Sequence, residues 1–307
     1  MVIDVHAHVF GERNWVPEWF WQHYLRVLSL NLGRPAVEVE ADVLPGLWDP
    51  HGDRLVDAMD TAGVERAFVL CLDWELAHDG SRPGYAIEEL HERYASVVAA
   101  HRDRLAFGVG VDPRRGNAVD LVKRAVLELN ARVVKLYPPA GFYPSDRVVY
   151  PLYEACTQLD IPVLFHCGPA IAPFHSKFSQ PVHLDEVSTD FPNLRIIAGH
   201  AGHGWWVDAL AICRSKFNIY LELSGWSLLA AHPRRIYEPL RHLLDVVPGR
   251  VMFGSDYIGL PGSLERAAGL FAQLPHAAVE HGIDFDPSEI DQFLAGTARR
   301  VFRLESG

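Results

Sequence analysis

Two histidines, His6 and His8, sit in the opening stretch VIDVHAHVF. Side chains two apart on a strand share a face, so these imidazoles stand side by side. Val2, Ile3, Val5, Val9 and Phe10 mark the run as buried on both sides, as in a parallel sheet. Two unpaired neutral imidazoles there would cost desolvation. A shared divalent cation would remove that cost, and hydrogen bonds to backbone or water are the other way to settle them. The same chemistry recurs further along, with Lys135 in VVKLYPP, His166 in PVLFHCG, His200 in LRIIAGHAG and Asp256 in VMFGSDY. Three imidazole nitrogens and one carboxylate suit a borderline cation such as Zn²⁺, with a position left open for water. That water becomes a hydroxide-like nucleophile near neutral pH.

Each of these residues ends a short apolar run. There are eight such runs: VIDVHAHVF from Val2, RAFVLCLD from Arg66, LAFGVGVDP from Leu105, VVKLYPP from Val133, PVLFHCG from Pro162, LRIIAGHAG from Leu194, IYLELSG from Ile219 and VMFGSDY from Val251. Helical patterns fill the gaps. DRLVDAMDTAG closes on Gly63, a helix-terminating signal. AIEELHERYASVVAAH, NAVDLVKRAVLELN and VVYPLYEACTQLD carry apolar residues at helical spacing. Eight buried strands, each followed by helix, predict an α/β fold, the (β/α)8 TIM barrel, as one domain over residues 1–307. The strand ends that carry the polar residues then converge on one mouth. A doubly wound open sheet would want a Gly-rich phosphate turn after the first strand, and HAHVFGERNW stands there instead.

Two segments exceed the minimal repeat, and both fall on loops at the barrel mouth. The first, GERNWVPEWFWQHYLRVLSLNLGRPAVEVEADVLPGLWDPHG, is an aromatic-rich insertion after the first strand, with Trp15, Trp19, Phe20, Trp21, Tyr24 and Trp48. The second is GPAIAPFHSKFSQPVH after the fifth strand. An aromatic lid or subunit contact is one reading, and an insertion with its own small core is the other. A homo-oligomer, a dimer, is the expected assembly. Net charge is −11 without a basic block, which argues against nucleic acid and anionic membrane as partners and leaves a small-molecule substrate. Cys71, Cys156, Cys167 and Cys213 show no CxxC spacing and read as free thiols. No apolar run is long enough to span a bilayer and no basic leader precedes the first strand, so a cytoplasmic location is expected.

DVHAHVF, VVKLYPP, LFHCG, IIAGHAG and MFGSDY, in that order, resemble the amidohydrolase superfamily. More narrowly they resemble the amidohydrolase-related branch that includes the aminocarboxymuconate semialdehyde decarboxylases, over nearly the whole chain. The resemblance implies that His6, His8, His166 and Asp256 bind metal, zinc or another divalent ion such as manganese, one ion or two. Asp256 would also take a proton from the attacking water. His200 would act as acid/base beside one metal, or ligate a second. Lys135 matches a lysine that is carboxylated and bridges two metals in binuclear members, and its presence pulls toward hydrolysis of an amide, ester or lactone. The alternative on the same site is non-oxidative decarboxylation or hydration of a small carboxylic acid. A barrel that binds without catalysis would have lost a ligand, and none is replaced.

Other residues carry weaker expectations. His203 reads as a helix start or a neighbour of the ligands, and His51, His175 and His183 as solvated loop residues. Cys167 faces the helices as a buried thiol. Trp226 could wall the pocket, while Trp205 and Trp206 pack at a helix start. Arg54, Arg147 and Lys177 are the cations to test for binding a substrate carboxylate.

Overall fold

The computed structural model describes residues 1–77, 83–260 and 262–304. Eight strands pair in chain order in one sheet: β1 (Val2–Ala7), β2 (Val64–Leu70), β3 (Leu105–Gly110), β4 (Ala131–Leu136), β5 (Val163–Phe165), β6 (Ile196–Ala198), β7 (Ile219–Glu222) and β8 (Val251–Met252). Every pairing is parallel. The ring closes between β8 and β1, where the Val5 amide donates to the Phe253 carbonyl at 3.2 Å, the His8 amide to Tyr257 at 2.7 Å and the Asp256 amide to His6 at 2.9 Å.

Helices α1 (Glu18–Leu32), α2 (Ala36–Leu47) and α3 (Asp53–Ala62) separate β1 from β2. Then α4 (Ile87–Ala100), α5 (Ala118–Leu127), α6 (Tyr150–Gln158), α7 (Leu184–Asp190), α8 (Trp206–Ser215) and α9 (Arg234–Val246) each precede the next strand. After β8 come α10 (Ser263–Ala272), α11 (Leu274–Ala277), α12 (Pro287–Asp291) and α13 (Thr297–Phe302). Gly63 ends α3 at φ 68°, the left-handed conformation that a glycine takes without strain. None of the described helices is long and apolar enough to cross a membrane. All four cysteines are free and buried.

The barrel has two cores, as the alternation of side chains along buried strands requires. Ile3, Val5, Phe68, Leu70, Val133, Leu164, Ile197 and Met252 fill its interior, closed at one end by Ala298, Val301 and Phe302 of α13. Phe68 and Phe302 meet there at 4.1 Å between ring centroids. Val69, Phe107, Val134, Leu136, Phe165 and Leu221 pack outward against the helices. Lys135, between Val134 and Leu136, therefore faces inward. In β1 the phase changes: the pairing with β2 shifts between Asp4 and Ala7. This one-residue bulge turns Val5 into the interior core and then His6 and His8 toward the mouth.

Three strand ends differ from the sequence reading. β5, β6 and β8 stop at Phe165, Ala198 and Met252, so His166, His200 and Asp256 lie on the loops just beyond them. At two of these positions the backbone turns left-handed, with φ 56° at His200 and 58° at Asp256, and a ladder cannot continue through that conformation.

The insertion folds as α1 and α2. Trp19, Phe20, Trp21 and Leu25 are buried together with Phe10, Leu72, Trp74 and Phe174. Each large apolar side chain so withdrawn from water contributes about 1.5–3 kcal/mol. The insertion thus shares its core with the loops after β2 and β5, which holds it against the barrel mouth.

Candidate metal centre

Six polar residues meet at the mouth, and their hydrogen bonds decide which nitrogens stay free. His6 Nδ1 lies 2.8 Å from Glu222 Oε1, and His8 Nδ1 lies 2.9 Å from the Leu70 carbonyl. Both partners only accept, so both protons sit on Nδ1 and both Nε2 atoms are proton-free acceptors. These two nitrogens face each other at 3.2 Å. Asp256 Oδ1 stands 3.7 Å from His6 Nε2 and 3.6 Å from His8 Nε2. Lys135 Nζ is 3.2 Å from His6 Nε2. Three acceptors thus converge, and they repel one another unless a cation joins them.

The donor set fits a divalent ion. Ligands about 2.0–2.2 Å from a tetrahedral metal lie about 3.4 Å from each other, close to the separations here. A second cluster, His6, His200 and Glu222, is less suited. Glu222 Oε1 already accepts from His6 Nδ1, from the His200 amide at 2.7 Å and from Ser224 Oγ at 2.9 Å. It serves as a hydrogen-bond node that fixes the ring of a ligand.

His200 and His166 form the other half of the floor. His200 Nδ1 faces the Ser224 carbonyl at 3.2 Å, which places its proton there, and its Nε2 accepts from His166 Nδ1 at 2.9 Å. His166 Nε2 is then bare and buried, without any partner. A buried polar atom left unpaired is costly, and a metal or ligand would satisfy it.

Burial, helped by Lys135, holds His6 well below the usual imidazole range, and burial pushes His8 down to about 4. Burial and then His200 lower His166 likewise. All three are neutral at physiological pH, as metal ligation requires. Burial also lowers Lys135 to about 8, although Glu222 and Asp256 favour its charge. For Asp256, burial acts upward, but His200, His6, His8 and Lys135 together hold it below the ordinary carboxylate range.

The loop that carries His200 is strained. His200, Ala201 and His203 have φ 56°, 43° and 47°. Such residues cost about 1–3 kcal/mol each and persist only where the surroundings over-determine them. Here Glu222 holds the His200 amide and Trp226 Nε1 donates to the His200 carbonyl at 2.8 Å. Trp226 is therefore a prop of His200, not a wall of the pocket. At Gly254 a side chain would run into the Glu222 carboxylate and the His6 Cβ, so only glycine lets β8 pass the node.

Above the floor opens a cavity of about 370 Å³. His6, His8, Lys135, His166, His200 and Asp256 all line it, and so does His203. Its walls are aromatic and aliphatic, with Phe20, Trp21 and Tyr24 from the insertion, Trp74 after β2 and Tyr137 after β4. Among the described residues lining it, Lys135 is the only lysine or arginine. The three cations singled out from sequence lie elsewhere. Arg147 pairs with Glu186 and Asp190, Arg54 is exposed and reaches the Pro45 carbonyl, and Lys177 lies over the Phe178 ring. Loop charges take the nearest local partner, which spacing does not reveal. Cys167 is buried, as expected. Glu222, Ser224, Trp74 and Tyr137 were not singled out from sequence. An acid inside the apolar run IYLELSG was the available signal for Glu222.

The role of Glu222 is testable. Glu222→Gln places an amide NH2 against donors that need an acceptor. Metal affinity is expected to fall about 10–100-fold, as for other residues that orient a ligand. Stability should fall by about 1–3 kcal/mol for the unpaired groups. Metal titration and thermal melts check both, and wild-type metal affinity would remove Glu222 from the centre.

A family model described as amidohydrolase matches residues 3–304. The 2-keto-4-carboxy-3-hexenedioate hydratase of a Sphingobium species is 24% identical over 182 residues, 53% of this chain and 52% of that relative. The chain thus matches about half the length of that curated relative. An uncharacterised TIM-barrel protein from Bordetella bronchiseptica superposes with a TM-score of 0.68 at 21% identity over 98% of each chain. The 5-carboxyvanillate decarboxylase of Novosphingobium aromaticivorans, solved with bound manganese, does so with a TM-score of 0.67 at 16% identity over 99% of this chain and 97% of that one.

Proposed function

This chain belongs to the amidohydrolase family, and on that premise we propose that it is a metal-dependent lyase, a non-oxidative decarboxylase of a small planar carboxylic acid. The observation that carries this reading is the aromatic cavity of about 370 Å³ closing on a floor of convergent donors with one lysine. A carboxylate drawn into such a cavity leaves water behind, while carbon dioxide is apolar and loses little there. Hydrolysis of an amide, ester or lactone is a weaker fit, since the named relatives above are a decarboxylase and a hydratase.

His6, His8, His166 and Asp256 would hold the ion. Zinc suits the donor set, and manganese is the ion bound in the similar decarboxylase structure. Bound there, a divalent ion supplies a Lewis acid for an oxygen of the substrate. Lys135 pairs with the substrate carboxylate or its neighbouring oxygen. Tyr137, whose ring lies 4.6 Å from that of His166, and Trp74, 5.2 Å from Tyr137, hold the planar body and exclude water. The reaction exchanges a carboxylate for a proton: the C–C bond breaks, its electron pair stays on the ring or chain carbon, and carbon dioxide leaves. Asp256, held ionised, would take the proton of a substrate hydroxyl and hand it to that carbon, with His200 and its partner His166 forming the floor beside it.

The experiment is turnover of hydroxybenzoates by the manganese-loaded protein in D2O. Carbon dioxide release with deuterium at the vacated carbon is expected. Hydrolysis of lactones or amides with no carbon dioxide from any acid overturns the reading, and water addition to an unsaturated acid moves it to hydration.

Lys135→Met separates the two chemistries further. For a one-ion lyase, metal content stays at about one per chain and KM for the acid rises about tenfold or more, for a lost charge-assisted hydrogen bond. For a hydrolase with carboxylated Lys135 bridging two ions, metal content falls from about two toward one, and elemental analysis decides.

A further inference from the structure

Two consecutive arginines, Arg114 and Arg115, tie the loop after β3 to the loops on either side of it. Arg115 grips the loop after β2. Its Nε donates to Asp73 Oδ2 at 2.6 Å, and its Nη2 to Asp73 Oδ1 and Glu75 Oε2, both at 2.7 Å. Asp73 and Glu75 are the chain neighbours of Trp74. The Asp112 amide, from the arginines' own loop, also donates to Asp73 Oδ2, at 2.7 Å. Arg114 reaches both ways. It binds the Asp112 carboxylate through Nε at 2.9 Å and Nη2 at 2.5 Å. The same Nη2 is shared with the Leu76 carbonyl at 3.2 Å, after β2, and the Ala140 carbonyl at 3.1 Å, after β4.

The loops so joined carry two rings of the cavity wall, Trp74 and Tyr137, which meet at 5.2 Å. Tyr137 opens the turn that Arg114 holds, because the Ala140 amide donates to the Tyr137 carbonyl at 3.0 Å. Gly141 leaves room for the guanidinium: its φ is 125°, and a Cβ there would stand 2.9 Å from Arg114 Nη1. Trp74 makes no hydrogen bond through its indole Nε1, so the ring takes its place from the backbone that carries it.

Net stability does not explain the two arginines. The Asp73 and Asp112 side chains are 2% and 0% exposed. Taking such charges out of water costs about as much as their attraction returns, so a buried ion pair adds little over apolar residues of the same volume. A guanidinium fork adds fixed geometry instead, since it is planar and binds a carboxylate through two bonds at once. Neither arginine lines the cavity.

We infer that Arg114 and Arg115 are positioning residues: they fix Trp74 against Tyr137 and so set how tightly the substrate is held, without touching it. The inference rests on the lyase reading for its substrate, while the place of Trp74 tests it without one.

Arg114→Lys and Arg115→Lys delete the fork but keep a cation beside each buried carboxylate, which spares the fold the unpaired charges that alanine would leave. In the manganese-loaded protein, each is expected to raise KM for the hydroxybenzoate turned over about tenfold, with kcat and metal content unchanged, as for lost binding common to ground and transition states. In a Trp74→Ala background, Arg115→Lys should leave KM where Trp74→Ala alone puts it, because the arginine then has no ring to place. A crystal structure of Arg115→Lys should show the Trp74 ring displaced, with His6, His8, His166 and Asp256 in place. The inference is overturned if the melting temperature falls while KM holds, if kcat falls with KM unchanged, if the effects of Arg115→Lys and Trp74→Ala on KM add, or if Trp74 keeps its place. If the wild type turns over no hydroxybenzoate, the lyase reading falls, and the crystal structure alone decides the inference: a displaced Trp74 supports it and an unmoved one overturns it.

Discussion

Replacing His6 and His8 together with alanine strips the protein of its divalent metal and of measurable turnover. The expectation rests on two proton-free Nε2 atoms 3.2 Å apart with Asp256 Oδ1 at 3.7 and 3.6 Å from them. Binding of about 10–16 kcal/mol shared by four ligands is about 3 kcal/mol each, or two to three decades of affinity per ligand. The pair together therefore accounts for about four to six decades, enough to empty the site during purification. The single variants separate two effects. His8→Ala frees only the Leu70 carbonyl, which water can satisfy. His6→Ala also removes a donor from the buried Glu222, so it should cost stability as well, by about 1–3 kcal/mol. Elemental analysis and thermal melts read the two quantities. Full metal content in the double variant would place the metal elsewhere.

The ligand pair was legible because a strand has a period of two, and two histidines in a buried run have few inexpensive explanations. The barrel was legible for a related reason: strands buried on both faces read as unbroken apolar runs, and eight such runs separated by helical patterns leave one compact closure. The bulge between Asp4 and Ala7 left no trace, since Val5 and its neighbours are apolar whichever way they face. The ends of β5, β6 and β8 were read too far along, because an apolar pattern continues where the backbone has already turned. Glu222 was missed for a different reason. Its meaning comes from His6, 216 positions away, and no local pattern encodes that contact. The same limit explains Arg54, Arg147 and Lys177: a charge on a loop finds its partner through the path of the chain, and these found theirs outside the cavity.

The wall was half legible. The aromatic run WVPEWFWQHY announced an element that would bury rings, but not that it would share its core with Trp74 and Phe174 from later loops. That sharing ties substrate recognition to the insertion. One face of α1 stabilises the fold through Trp21 and Leu25, and Tyr24 on the same helix lines the cavity. Changes to the buried face should therefore alter substrate binding even where they touch no substrate.

Asp256→Asn keeps the fold and the metal site's shape but abolishes turnover. The position is left-handed, with φ 58°, a conformation that asparagine and aspartate both tolerate better than other side chains. The backbone bond from its amide to the His6 carbonyl, 2.9 Å, does not involve the side chain and should survive. What changes is chemistry. Histidines and Lys135 hold Asp256 below the ordinary carboxylate range, against the upward push of burial, so at neutral pH it is an ionised base facing the cavity, its side chain 35% exposed. Asparagine offers an oxygen of similar reach and cannot accept that proton. General acid–base groups contribute about 10²–10⁴ in rate, and kcat is expected to fall by about that much. Loss of the ligand charge should also weaken the metal, so the comparison belongs at saturating manganese, with metal content measured in the same sample. A kcat within tenfold of wild type at full metal content would remove Asp256 as the base. The proton would then have to pass through His200, the remaining imidazole hydrogen-bonded to both Ser224 and His166.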